Sequence, residues 1–256
     1  MELYEIYEIY DSHIHSEGRS QKELSEMSDS GIKTVNSCAF YPVKPRYPGT
    51  LIDLFRKLEE FETYRGEKAG LKVVPAFGIH PRCIPGNWQE VIDFLEESQP
   101  KIFGEIGLET AEEIEIEVLK VHLNLAKKLD IPCIIHTPRR NKNEITQKIL
   151  DILDMLQFPE ELAVIDHVGL ETASEILSRG YHAGLTVEEG KLSERDVFEI
   201  ITKFGPDKLM INSDTGFTSL DYLSTVRAIT YLVENDVDAE IVKQLAFKNA
   251  KEFFRV

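Results

Sequence analysis

The chain has 256 residues, 42% of them hydrophobic, with 29 basic and 45 acidic side chains and a formal net charge of -16. That length suits an α/β barrel, and the apolar content supports a large core rather than a disordered chain. An acidic surface repels the phosphate backbone, so extended nucleic-acid binding is not expected unless basic residues cluster locally.

Short β-branched runs alternate with longer helical patterns, the signature of repeated βα units and a parallel sheet. The first run is Ile6 to His15, with a polar, helix-compatible stretch from Gln21. The second is Ile32 to Ala39, then a loop and an amphipathic stretch from Thr50 to Lys68. The third, Leu71 to Ile79, is nearly all apolar, as a strand buried on both faces requires. Asn87 is placed to cap the helix that follows, with Glu90 as its capping-box partner. The fourth run is Ile102 to Leu108. A long helix comes next, with Ile114, Val118, Val121, Leu125 and Leu129 spaced to share one face. The remaining strands are expected at Pro132 to Thr137, Ala163 to Val168, Tyr181 to Val187 and Leu209 to Ser213, each followed by a helix. The last helix, Ala239 to Phe254, closes the chain. With no long linker and no glycine-rich first turn, the expectation is one (β/α)8 TIM barrel domain spanning residues 1–256 rather than an open doubly wound sheet.

Barrels of this kind place their chemistry at the C-terminal ends of the strands. Those ends carry His13, His15, His80, Glu105, His136, His167 and Asp214, which include five of the seven histidines. Imidazole and carboxylate suit zinc, manganese and similar ions. His13 and His15 lie two apart on a strand, so both rings project to one side. A lone His-x-His says little; joined by a glutamate, further histidines and a final aspartate at successive strand ends, it points to a metal site. Asp11 shares the inward face and is expected to accept a hydrogen bond from one of the two rings.

Asp11-Ser-His-Ile-His15, Gly78-Ile-His-Pro81, Gly104-Glu-Ile-Gly-Leu108, and His122-Leu-Asn-Leu-Ala126 running on to Ile135-His136 resemble the TatD-type metal-dependent hydrolases, a branch of the amidohydrolase superfamily of barrels. The motifs occur in family order from the first strand to Asp214. The resemblance implies one divalent ion held by His13, His15 and Asp214, a second by His136 and His167, and Glu105 bridging them. Many amidohydrolases bridge with a carbamylated lysine; here that position is Glu105, and Lys101 sits at the wrong end of the strand. Zinc, manganese, nickel or magnesium would each suit such ligands. Two metal ions sharing a water can lower its pKa toward neutrality, with Asp214 then expected as ligand and proton acceptor. The chain departs from the family pattern at Gly107-Leu108-Glu109 (usually Gly-Leu-Asp), at Asn212-Ser213-Asp214 (usually Glu-Thr-Asp), at His136-Thr-Pro-Arg139 (usually His-x-Arg), and at Asp166-His167.

Basic residues cluster in the loops at the same end: Lys44 and Arg46 after strand two, Arg82 after strand three, and Arg139, Arg140 and Lys142 after strand five. Arginine forks grip phosphate or carboxylate oxygens, so Lys44, Arg46, Arg82 and Arg139, with His80, are the expected substrate-binding residues and form a positive funnel in a negative protein. The loop from Tyr41 to Pro48 adds tyrosines and prolines suited to stacking a ring. The resulting expectation is a phosphodiester or phosphate-ester hydrolase, of the deoxyribonuclease type that the resemblance implies, acting on a small anionic substrate or a short single-stranded DNA end. An amide, lactone or carboxylate-ester hydrolase is the alternative, since an activated water attacks carbonyls equally well.

His122 in mid-helix, His182 at the start of strand seven, Cys133 and Trp88 read as packing. Cys38, Cys83 and Cys133 form no C-x-x-C pair and, being three, cannot all be bridged, which favours a reducing compartment. Met1 to Glu5 is acidic with no apolar run behind it, so a cytoplasmic protein without signal peptide or membrane span is expected.

Overall fold

Eight short, almost wholly buried strands form the centre of the computed structural model, which describes residues 8–217 and 221–256. They are β1 Ile9–Ile14, β2 Ile32–Cys38, β3 Lys72–Ala76, β4 Phe103–Gly107, β5 Cys133–His136, β6 Ala163–Ile165, β7 His182–Thr186 and β8 Leu209–Asn212. All pair in parallel and in chain order, as β1-β2-β3 and β4-β5-β6-β7-β8. Parallel bridges Phe77–Phe103 and Ile14–Thr215 join the two sheets at both seams. The chain is therefore the (β/α)8 barrel that the alternation predicts. Ile6 and Tyr7, the start of the first expected strand, lie outside the described residues, as does the Met1 to Glu5 segment. Each strand is shorter than its apolar run because the last residues leave the ladder to form the mouth, where His15, His80 and His167 sit.

The helices are α1 Gln21–Asp29, α2 Pro48–Lys57, α3 Thr63–Ala69, α4 Gln89–Ser98, α5 Glu113–Leu129, α6 Lys142–Met155, α7 Ala173–Ser178, α8 Glu194–Phe204, α9 Ser224–Glu234, α10 Ala239–Lys243 and α11 Asn249–Phe254. The expected helices over Thr50–Lys68 and Ala239–Phe254 are each interrupted by a π-helical turn, Leu58–Glu62 and Gln244–Lys248. Capping boxes start α1 at Ser20 with Glu23 and α8 at Ser193 with Asp196, satisfying amide donors that the first turn leaves open. Two local expectations are corrected. Asn87 does not cap α4: it adopts a left-handed φ of 52°, the N-cap position falls on Trp88, and no side chain caps that end. In α5, Val118 and Leu125 are buried and Val121 and Leu129 pack against the core as expected, but Ile114 is exposed, and the buried face also takes in Leu119, His122 and Ala126.

Apolar burial holds the site from two sides. Between strands and helices runs one continuous core that includes Ile14, Val35, Phe103, Ile135, Leu185 and Ile211. A smaller cluster of Tyr10, Val74, Ile134, Val164 and Met210 packs against Phe253 and Phe254 of α11. Each such side chain contributes about 1.5–3 kcal/mol on burial, which is the energy available to hold ionisable groups above it in place. Among the described residues, no helix is long and apolar enough to cross a membrane.

Candidate metal centre

Glu105, in β4, is the hub. Its Oε1 lies 2.7 Å from His136 Nδ1 and 3.0 Å from His167 Nε2. Its Oε2 lies 3.4 Å from His13 Nε2, 3.9 Å from His15 Nε2 and 3.7 Å from His80 Nε2. Asp214 Oδ1 completes the far side, 3.4 Å from His13 Nε2 and 3.2 Å from His15 Nε2. The six expected ligands thus converge from β1, β4, β5 and the turns after β6 and β8. Gly107 lets β4 pass the β5 backbone there, since a methyl group would meet His136 O at 2.4 Å. His167 and Asp214 both take left-handed backbone, with φ of 58° and 50°, at the point where the chain leaves the barrel.

Hydrogen bonds on the outer ring nitrogens decide which imidazoles present a lone pair. His13 Nδ1 is 2.6 Å from Asp166 Oδ2, and His15 Nδ1 is 2.8 Å from the Cys38 carbonyl. In their neutral forms both rings therefore carry the proton on Nδ1 and point a bare Nε2 at Glu105 and Asp214. His167 Nε2 faces Glu105 at 3.0 Å, while its Nδ1 lies 2.8 Å from Thr186 Oγ1 and accepts from the Lys191 ammonium at 3.3 Å. His80 is the opposite case to His13 and His15. Its Nδ1 accepts the Arg82 amide at 3.0 Å, so its proton sits on Nε2 and it faces the cavity as a donor, not a ligand. His136 stands between two carboxylates, with Nε2 2.9 Å from Glu109 Oε2.

Charge follows the same arrangement. Burial would raise the pKa of Glu105, but His13, His80 and His136 outweigh it and hold the carboxyl well below the usual range. Burial likewise opposes ionisation of Asp214, and Lys191, His167 and His13 reverse the effect. Burial and the neighbouring Lys191 push His167 down to about 4, and burial holds His80 well below its ordinary value. Burial opposes the charged forms of His13, His15 and His136 as well, but the neighbouring acidic groups outweigh it and hold all three above their ordinary value, so a divalent cation would displace protons from these rings. His13 Nε2 is buried without a hydrogen-bond partner, an orphan that a cation would satisfy. His13, His15 and Glu105 bring ligand atoms within 4.8 Å of one another. The donor set around Glu105 fits a divalent metal ion.

Several sequence expectations are corrected here. Asp11 bonds neither ring; its Oδ1 accepts the Ser213 and His13 amides at 3.0 and 3.4 Å, so it ties β1 to the turn after β8. The ring partner is Asp166, at the end of β6. Lys44 and Arg46 are exposed and do not line the cavity above the metal centre. Buried Pro45 and Pro48 anchor their loop and carry both cations outward, together with Tyr47, which is 71% exposed. Lys142 opens α6 instead of standing in the loop, and its ammonium binds Thr137 Oγ1 and the His167 carbonyl. Arg82, Arg139 and Arg140 do reach the cavity, which has a volume of about 790 Å³. They share it with acids that the loop reading overlooked. Arg139 bonds Glu188 Oε2 at 2.7 Å, and Lys191 bridges Glu188 at 3.1 Å to Asp214. Lys191, Glu188 and Thr186 carried no spacing signal; Glu109 was visible only as a departure from the family motif.

His122 and His182 keep the packing roles expected of them. His122 Nδ1 bonds the Val118 carbonyl at 2.8 Å and its Nε2 accepts the Ile79 amide at 3.3 Å, while the His182 ring packs tilted against Phe253. Cys38, Cys83 and Cys133 are buried and free.

Known proteins resemble this chain in sequence and in fold. Residues 10–255 match the TatD related DNase family. An uncharacterized metal-dependent hydrolase of Methanocaldococcus jannaschii is 37% identical over 251 residues, covering 96% of this chain and 99% of that protein. A TatD-like protein of Archaeoglobus fulgidus has a solved structure that is 47% identical with a TM-score of 0.84, covering 96% of this chain and 100% of that one. The phosphotriesterase homology protein of Escherichia coli, solved with phosphate in its active site, has a TM-score of 0.70 at 14% identity, covering 97% and 99%. That last likeness is one of fold alone. A match over nearly the whole length, together with a close relative in sequence, assigns the chain to the TatD related DNase family of metal-dependent hydrolases.

Proposed function

We propose that this chain acts as one catalytic domain that hydrolyses a phosphodiester or phosphate ester at two divalent metal ions. The observation that carries the reading is the two-sided contact of Glu105, whose Oε1 faces His136 and His167 while its Oε2 faces His13 and His15. His13, His15 and Asp214 would hold one ion, His136 and His167 the other, and Glu105 both. When bound, the ions supply Lewis acidity that polarises the ester and lowers the pKa of the attacking water.

The chain's own groups do the rest. Asp214 takes the water proton on Oδ1; Lys191 on Oδ2 keeps the carboxylate ionised and fixes its orientation. His80 donates through Nε2–H toward the oxygen on which charge develops, and Arg82 and Arg139 hold the non-bridging oxygens. Salt links of Arg139 and Lys191 to Glu188 hold the cationic groups rigid before substrate arrives. Divalent zinc, manganese, nickel or magnesium each suit the set, and a small anionic ester or short single-stranded DNA end is the partner.

Glu109 and Glu188 support a second reading. Both line the cavity and offset much of its positive charge, which favours a less highly charged carbonyl substrate such as a lactone or amide. One experiment separates the two. Metal content is measured on protein purified without added metal, and turnover is screened on bis-p-nitrophenyl phosphate, p-nitrophenyl phosphate and a lactone panel, with Asp214→Asn as control. About two equivalents of metal with phosphodiester turnover that falls by orders of magnitude in Asp214→Asn supports the first reading. Turnover on lactones alone moves the substrate to the second, and protein that takes up no metal removes both.

A further inference from the structure

The cavity has two unlike flanks. Arg139, Arg140, Glu188 and Lys191, from the loops after β5 and β7, make one side charged. Phe40 after β2 and Phe217 after β8 bring the only aromatic rings, other than histidines, among the described lining residues. Phe217 is 43% exposed, an unusual exposure for a ring beside a polar centre. It lies 6.2 Å from the Phe40 ring and 6.2 Å from the His15 ring, centroid to centroid. Phe40 in turn is 5.4 Å from His15 and stands edge-on to His80 at 4.9 Å. The Arg82 guanidinium lies over Phe40, 5.7 Å from its centroid.

Both rings therefore flank His15, one of the residues assigned to the metal ions, within the reach of a substituent a few bonds from the reacting phosphorus. Rigid ring faces and a guanidinium plane stack flat heterocycles without reading their edges. We infer that the Phe40–Phe217 wall is a subsite for the nucleobase of the nucleotide being cleaved, which would direct the rest of the substrate toward Arg139 and Arg140. This deepens the phosphoester reading and rests on it. Of the tyrosine loop expected to stack a ring, Pro42 lines the cavity but neither tyrosine does, so the two phenylalanines take that role.

The test is equilibrium binding of 2′-deoxyadenosine 5′-monophosphate, 2-deoxyribose 5-phosphate and phenyl phosphate to the metal-loaded protein by calorimetry. Stacking of one base predicts that the nucleotide binds about 5- to 150-fold more tightly than the sugar phosphate. In Phe217→Ala, whose ring is too exposed for its loss to open the core, that preference should fall to within about twofold, and in Phe40→Leu it should be reduced. Equal binding of nucleotide and sugar phosphate by the unaltered protein overturns the base subsite and leaves the phosphoester reading standing. A preference that persists in Phe217→Ala also overturns the subsite, and phenyl phosphate binding as tightly as the nucleotide overturns its assignment to a base. Binding of none of the three overturns the phosphoester reading and the subsite with it.

Discussion

Replacing Asp166 by alanine should weaken metal binding although Asp166 is not among the proposed ligands. The His13 ring donates from Nδ1 to Asp166 Oδ2 at 2.6 Å, and this bond keeps the Nε2 lone pair between Glu105 and Asp214. Asp166 is itself held, because Asn212 Nδ2 donates to its Oδ1 at 2.9 Å. Without it, the imidazole proton is free to move to Nε2, where it bonds a carboxylate and blocks coordination. Loss of such a supporting carboxylate lowers metal affinity about 10- to 100-fold, or about 1.4–2.7 kcal/mol. Gly184 supplies an independent route to the same defect. A methyl group there would stand 1.5 Å from Asp166 Oδ1, so Gly184→Ala must displace the carboxylate without touching any ligand. The assay is competition for zinc against a chromophoric chelator, on protein whose fold is checked by circular dichroism. If both folded variants hold zinc within twofold of the unaltered chain, the His13 tautomer does not control the site.

Other predictions follow from the same geometry. Glu115 accepts the amides of Glu109, Thr110 and Ala111 at 2.8–2.9 Å and thereby fixes the loop that carries Glu109 to His136. Glu115→Ala should cost about 2–3 kcal/mol in urea unfolding and speed hydrogen exchange at residues 109–111; unchanged exchange would remove Glu115 as the clamp. Burial holds His122 down to about 4, so its neutral form is favoured in the folded chain. Its contribution is then complete above the unfolded value near 6.5 and is lost as pH falls toward 4, amounting to roughly 3 kcal/mol. The stability gap between the unaltered chain and His122→Gln should therefore narrow on acidification, and a pH-independent gap would contradict this account. Stripping metal with a chelator should lower the melting temperature by roughly 10 °C when the ion had been present about a thousandfold above its dissociation constant. An unchanged melting curve would mean that the clustered groups do not bind it.

Much of the fold is legible in one dimension because its cause is local. A strand buried on both faces must be a run of apolar residues, and a helix on its outside must show three- and four-residue spacing. Cys133–His136, Ala163–Ile165 and Leu209–Asn212 declare themselves in this way. The convergence of His13, His15, Glu105, His136, His167 and Asp214 was legible for a related reason, since barrel topology brings every strand end to one mouth.

Tertiary structure alone settled what surrounds those groups. Asp166 rather than Asp11 accepts the hydrogen bond from His13 Nδ1, because partner choice depends on side-chain angles across neighbouring strands and not on which face a residue shares. Lys44 and Arg46 point away while Lys191 reaches in, because loop paths follow packing, with Pro45 and Pro48 buried beneath the one loop and Lys191 bound between Glu188 and Asp214 in the other. Phe40 and Phe217 come from loops 177 residues apart in the chain, and no periodicity links them. The convergence of these six groups is thus a property of strand order, which the sequence writes down. The charge balance and the aromatic flank of the cavity are properties of loop packing, which requires the closed barrel.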